Sequence, residues 1–312
     1  MVINAKIRSL ATASIISVIT LISVPTVSLA EEAYTPSRWA AEKISICSEA
    51  GIISAGFDSM PYNGNITRRD FFELMINTCR LYGIELPELS EPYHFTDTQD
   101  ASAEYAYLLG LTQGTAPGIF GPDQPLTREM ASVVLSRIRL LFEHAASGVY
   151  EETDRGRYMF DRGGYNGRRR EYYDWYWGTP PVYETQDGTL AYAPPMDEWQ
   201  ADRLLDKYSA DSDAISEWAK TGMADVYSLG LITGVGGGSL DPKGNITREQ
   251  AAIMSLNVLA YNDASKLKTI GIDKCVIPAP AAIYISLSYS KYDALLNWPN
   301  GRDYMHFSLL GI

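Results

Sequence analysis

Apolar residues recur along this chain at helical spacing in paired segments separated by turn-rich loops, and the pair occurs three times. In the third copy Ala219, Met223, Val226 and Leu229 mark the buried face of a first helix, with Ser216 placed to cap it and Gly230 to stop it. The second helix of that copy carries Ala251, Ala252, Met254, Ser255, Val258 and Leu259 on one face. In the first copy Thr35 is the expected cap, Pro36 the first helical residue and Gly51 the stop, and Phe71, Phe72, Leu74 and Cys79 line the second helix. In the second copy a first helix is expected within Asp97–Leu109, about one turn shorter than its counterpart, and Ala131, Val133, Val134 and Ile138 line the second. The loops between the helices, GFDSMPYNGN, TAPGIFGPDQP and GVGGGSLDPKGN, are dense in turn residues.

Two landmarks keep the copies in register. Gly51-Ile52, Gly110-Leu111 and Gly230-Leu231 precede Arg68, Arg128 and Arg248 by 17, 18 and 18 residues. A helical hairpin of this size cannot bury its own apolar faces, so copies must pack together, and three is the usual minimum. The expected fold is therefore mainly α, with three helix–loop–helix repeats set around a shared centre.

Each second helix opens on an apolar residue, Thr and Arg: GNITRRDFF, QPLTREMAS and GNITREQAA. The threonines suit an N-cap, Thr247 with Gln250 makes a capping box, and Ile66, Leu126 and Ile246 sit where a hydrophobic staple begins. Folding does not explain the arginine in the same way. A cation in the first helical turn opposes the dipole by a few tenths to about 1 kcal/mol. A guanidinium at a helix N-terminus is also a ready anion site, its planar fork matched to a carboxylate. Two readings follow: an external anionic ligand, or an ion pair with Asp or Glu of the neighbouring copy.

Charge and the N-terminus narrow the setting. Lys6 and Arg8 precede an apolar stretch ending near Val24, and Ser28-Leu-Ala30 supplies small residues at a cleavage point, so residues 1–30 read as a signal peptide. Removing them takes the formal charge from −12 to −14, which argues against a nucleic-acid partner. Nothing after residue 30 approaches a membrane span. Cys47 and Cys79 lie on the two helices of one copy, as a bridge or as two buried thiols, and Cys275 stands alone.

The pattern Asp213…Trp218-Ala219…Gly230-Leu-Ile…Gly234…Pro242…Ile246-Thr-Arg-Glu249 resembles the S-layer homology module, whose hallmark is a Thr-Arg-Ala-Glu-like sequence opening its second helix. Residues 35–85, 95–145 and 211–262 carry the resemblance. It implies a pseudo-three-fold spindle at the cell wall or S-layer surface, binding secondary cell-wall polysaccharide, often pyruvylated, in grooves between modules. It implies further that Arg68, Arg128 and Arg248 contact carboxylates of the polymer, with Asp97, Asp213, Trp39, Trp218, Gly114 and Gly234 shaping the grooves. The departures are Arg69 at the acidic position of the first motif, no tryptophan in the second copy, and a first loop two residues short before Pro61. Against the family pattern the third copy is the best preserved.

The expected organisation is a signal peptide at 1–30, modules at 31–93, 94–145 and 207–262, an insert at 146–206 and a tail at 263–312. The insert concentrates Tyr, Trp, Arg and Gly at 158–178, expected as an irregular loop whose rings pack on the core or stack on sugar, and PVYETQDGTLAY at 181–192 reads as a hairpin. In the tail, AAIYISLSYS alternates like a strand, a candidate partner for that hairpin in a small β element. His94, His144 and His306 have no metal-ligand spacing, and no nucleophile elbow or phosphate loop is present. The expectation is a non-catalytic wall-binding protein with no metal or cofactor. The competing classes are a small cell-envelope glycan hydrolase and a self-assembling scaffold, each acting through the insert.

Overall fold

The computed structural model describes residues 34–147 and 194–269 and, between them, the short segments 151–152, 158–161, 170–173, 182–185 and 188–192. The expected processing segment, Cys275 and the strand-like tail lie outside the described residues. Among the described residues seven α-helices carry the fold: α1 Ala41–Glu49, α2 Arg68–Tyr82, α3 Ala101–Leu108, α4 Arg128–Ser147, α5 Glu198–Tyr208, α6 Lys220–Ser228 and α7 Arg248–Thr269. The last is interrupted by an extended residue at Asp263. No helix among the described residues is long and apolar enough to cross a membrane.

The second helices start where the sequence places them. Thr67, Thr127 and Thr247 accept hydrogen bonds from the amides of Asp70, Met130 and Gln250 at 3.2, 3.4 and 3.3 Å, and Gln250 completes its box by accepting from the Thr247 amide at 3.0 Å. The first α-helix of the first copy starts at Ala41 rather than at Pro36, after a turn in which Ala40 donates to the Ser37 carbonyl. In the second copy the helix Ala101–Leu108 falls within the expected Asp97–Leu109, with Asp100 as its cap, accepting from the Ser102 amide at 2.9 Å.

Packing is cyclic. Each first helix lies against the second helix of the preceding copy: α1 on α7, α3 on α2, and α6 on α4. The second helices α2, α4 and α7 in turn touch one another. Their junctions exchange backbone hydrogen bonds in the same order. Arg68 and Arg69 amides donate to the Gln124 and Pro122 carbonyls, those of Arg128 and Glu129 to Gly244 and Pro242, and those of Arg248 and Glu249 to Gly64 and Tyr62. Ile66 donates to Ile246, and Ile246 to Leu126, at 3.0 Å each. These three apolar residues are fully buried between the units, so they form the joint itself rather than only a local staple.

One interface carries a buried charge pair. Arg139 on α4 donates to Asp225 on α6 at 2.9 Å, and Ser136 donates to the same carboxylate at 2.6 Å. Cys47 and Cys79 are both buried thiols and are not bridged to each other. Cys47 donates to the Ala252 carbonyl of α7 at 3.3 Å, and burial pushes the Cys79 thiol up to about 12.

In the insert, β1 Glu151–Glu152, β2 Tyr158–Asp161 and β3 Arg170–Tyr173 pair antiparallel, so a stretch expected to be irregular carries short strands. The rest of its Tyr/Arg/Gly run lies outside the described residues. A second hairpin, β4 Val182–Glu184 with β5 Leu190–Tyr192, falls within 181–192 as its alternation implies. It lies over the end of α3: Tyr192 donates to the Leu109 carbonyl at 2.6 Å, and Arg137 of α4 donates to the Gly110 and Leu111 carbonyls. Gly110 has φ of +66°, and a Cβ there would overlap the Leu190 carbonyl. Gly51, its counterpart, has φ of +77° and open space around it.

Gly51→Ala is therefore expected to cost only the left-handed backbone, roughly 1–2 kcal/mol. Gly110→Ala should cost more and release the hairpin. Urea unfolding of both variants, with limited proteolysis across 182–192, checks this; equal losses and an unchanged cleavage pattern would show that the hairpin is not held there.

Candidate functional site

The three motif arginines stand at the cyclic joints, where each crosses to the neighbouring unit. Arg68 donates through Nε to the Phe120 carbonyl at 2.8 Å and through Nη2 to Thr112 Oγ1 at 3.2 Å. Its guanidinium carbon lies 5.0 Å from the Phe120 ring centroid and 5.5 Å from that of Phe72. Arg128 repeats the geometry, donating to the Leu240 carbonyl at 2.8 Å and the Thr233 carbonyl at 2.5 Å. Arg248 is turned differently: it donates through Nη2 to the Phe57 carbonyl at 2.8 Å, its guanidinium carbon 4.0 Å from the Phe57 ring centroid, and pairs through Nη1 with Asp70. The arginines are only 5, 5 and 4 % exposed.

Each guanidinium meets oxygens of the next copy, and a cation in the first turn of a helix thereby ties two units together across a buried joint. Burial lowers the pKa of Arg68 and Arg128, opposed by Asp97 for the former and by Asp241 and Asp211 for the latter. Both remain cations, since arginine is not deprotonated in proteins.

The short first loop explains the different pose of Arg248. Phe120 and Leu240, eight residues before the arginines of their own copies, are fully buried, whereas Met60 at the matching place is 54 % exposed. Phe57 fills that role instead, from a 3-10 turn over Phe57–Ser59. Its carbonyl meets Nη2 rather than Nε, and Arg248 Nε is buried without a hydrogen-bond partner.

The acidic residue that follows the arginine is the element sequence reasoning missed. Glu249, buried, accepts from the Ser37 amide at 2.9 Å and the Ser37 hydroxyl at 2.8 Å. Glu129 does the same for Ser216, at 3.0 and 3.1 Å. Each thus holds the chain entering the first helix of the next copy, so Ser216 is held by Glu129 rather than capping with its own side chain. Where the first motif has Arg69 in place of Glu, the helix it faces caps itself with Asp100. A reversed pair accompanies the change: Arg69 meets Asp123 of the second loop at 3.3 Å, whereas Glu129 meets Lys243 of the third at 2.7 Å. The repeat of Glu at motif positions 129 and 249, with its single exception beside a self-capping Asp, was the signal available in the sequence.

The remaining predicted residues divide. Asp97 accepts from the Phe120 and Gly121 amides at 2.8 Å each and so fixes the carbonyl that holds Arg68. Its counterpart in the third copy is Asp211, not Asp213: Asp211 accepts from the Leu240 and Asp241 amides at 2.8 Å and from Ser239, while Asp213 is exposed in a 3-10 turn. The register slips because the third loop is held two residues further from its helix than the glycine landmark implies. Burial pushes the Asp211 carboxyl up, but hydrogen bonds from Ser239, Leu240, Ser209 and Asp241 outweigh it and hold it at about 2. Gly114 and Gly234 close the loops beside the arginines. Gly114 donates to the Thr112 hydroxyl that Arg68 binds, and a Cβ on it would overlap the Ile119 carbonyl; one on Gly234 would lie 2.8 Å from the Ser239 carbonyl. Trp39 and Trp218, each two residues after a glutamate-held serine, are 60 and 56 % exposed.

The site geometry defines a class: helix–loop–helix repeats joined through Thr-Arg segments that open their second helices. A family model of the S-layer homology domain matches residues 95–131 and 210–252, within the second and third copies, and no curated protein matches the chain. The chain carries S-layer homology domains. Such domains are generally modules that anchor proteins to polysaccharide at the cell surface, and their presence associates this protein with the cell surface or S-layer.

Glu129→Ala and Glu249→Ala should each cost roughly 2 kcal/mol, as expected for lost bonds to a charged group, against at most about 1 kcal/mol for Arg69→Ala. Asp211→Asn should destabilise the protein above about pH 4, where the unfolded carboxyl is ionised, and the difference from the parent should vanish as pH falls towards 2. Asp213→Asn should be neutral throughout. Thermal unfolding across this pH range measures all of these; an Asp213 effect equal to that of Asp211 would overturn the assignment.

Proposed function

We propose that this chain is an exported, non-catalytic protein that binds an acidic cell-wall polysaccharide non-covalently. In this reading residues 35–85 are a third S-layer homology module, and the three form a pseudo-three-fold spindle whose joints open outward as grooves. The observation that carries it is the repeated joint: a buried arginine at a helix N-terminus, followed in two of three cases by a glutamate that holds a serine two residues before an exposed tryptophan. A fixed cation in a poorly solvated joint attracts a carboxylate more strongly than one in open water. The helix N-terminus adds to the same field. Trp218 and Trp39 offer flat apolar faces on which a sugar ring stacks, leaving its acidic substituent directed at the arginine. A pyruvate ketal is a substituent of the right chemistry, since it presents a carboxylate fixed to a pyranose.

An arginine at each joint and a tryptophan at two of them serve binding and need no proton transfer or nucleophile. The insert between the second and third units is short for a complete catalytic domain.

Sedimentation of the purified full chain with acidic wall polysaccharide tests the reading. Stripping the acidic substituents by mild acid should weaken binding by about tenfold or more, roughly 1.4 kcal/mol. No new reducing ends should form during incubation. Undiminished binding to the stripped polymer would refute the carboxylate mechanism, and steady release of reducing ends would refute the non-catalytic reading.

A further inference from the structure

The three joints are not electrostatically equivalent. Arg248 forms an ion pair with Asp70, two residues beyond the arginine of the first motif. The cyclic order places Met130 at the matching position facing Arg68, and Gln250 at that facing Arg128. Neither is a carboxylate, and among the described residues neither Arg68 nor Arg128 has a carboxylate at ion-pair distance. Their direct partners are the neutral oxygens of Phe120, Thr112, Leu240 and Thr233. Asp97 acts on Arg68 and Asp241 and Asp211 act on Arg128 only beyond ion-pair distance, and the carboxylates of Asp97 and Asp211 accept from backbone amides of the adjoining loops.

A buried cation satisfied only by neutral oxygens keeps its full charge for an arriving anion, whereas one paired with a carboxylate has lost most of it. We infer that Asp70 acts as an internal surrogate for the ligand's carboxylate, closing the joint between the third and first copies and leaving those at Arg68 and Arg128 to bind. This rests on the carboxylate-binding reading of the joints. It also reverses the order that motif preservation implies, because the third motif, nearest the family pattern, is the one whose arginine is already paired. Asp70 is a specificity-determining residue: it sets how many acidic sugars one chain holds.

The chemistry is symmetric and can be exchanged between joints. Asp70→Asn removes the surrogate and should open the third site. Met130→Asp sets a carboxylate against Arg68 and should close the first; because it adds a charge rather than stranding one, it tests the inference even if Asp70→Asn fails to fold. The probe is a methyl galactoside bearing a 4,6-linked pyruvate ketal, titrated calorimetrically into the full chain, with circular dichroism to verify folding. Relative to the parent, Asp70→Asn should bind one more equivalent and Met130→Asp one fewer. The equivalent gained in Asp70→Asn should be lost again when Arg248→Ala is added. An unchanged number of sites in either folded variant, or an added site that survives Arg248→Ala, overturns the inference while leaving carboxylate binding intact. Absence of binding by parent and variants alike overturns both.

Discussion

The structure depends on one contact made three times: an arginine that leaves its own helix and hydrogen-bonds the loop of the next unit. Around Arg68, Arg128 and Arg248 the backbone amides of the motif also cross the joint, so each unit borrows the satisfaction of its helix start from a neighbour. Because the borrowing runs from first to second, second to third and third to first, no unit keeps an unfilled end. The same order governs the helices, since each first helix packs on the second helix of another copy. A single hairpin cut from this chain would lose both its apolar partner and the oxygens that hold its arginine.

In the proposed binding mode that dependence ties binding to stability, because the arginine that would meet the ligand is first a brace and both roles draw on the same donors. Five N–H groups make this workable: a guanidinium that spends two of them on oxygens of the next unit has donors left and keeps a delocalised charge. The joints then differ through what surrounds the brace rather than through the brace itself. A loop shortened by two residues swings Phe57 into the place of Phe120 and Leu240, turns the Arg248 plane, and brings Asp70 into contact. The substitution of Arg69 for Glu is balanced by Asp123 in the facing loop and by the self-capping of α3. Each irregularity in the repeat thus has its compensation in the neighbouring unit.

The β4–β5 hairpin of the insert meets this core at one unit. It lies over the end of α3, where Gly110 offers no side chain and the Leu109 carbonyl receives Tyr192. The equivalent glycine of the first copy, Gly51, is open. One unit is therefore distinguished from the others by what is laid over it.

The sequence by itself determined the elements and their number. Three Thr-Arg segments with helical periodicity on either side mark second helices that begin at Arg68, Arg128 and Arg248, because an N-cap is a local interaction written in four residues. The burial of Ile66, Leu126 and Ile246 follows from hydrophobicity alone. What only the tertiary structure decided is who touches whom. Asp211 rather than Asp213 holds the third loop, Glu129 and Glu249 hold serines 87 and 212 residues away, and Asp70 pairs with an arginine 178 residues later. Those partners are set by the cyclic exchange between copies, and a repeat read along the chain aligns each residue with its equivalent, not with its neighbour in space.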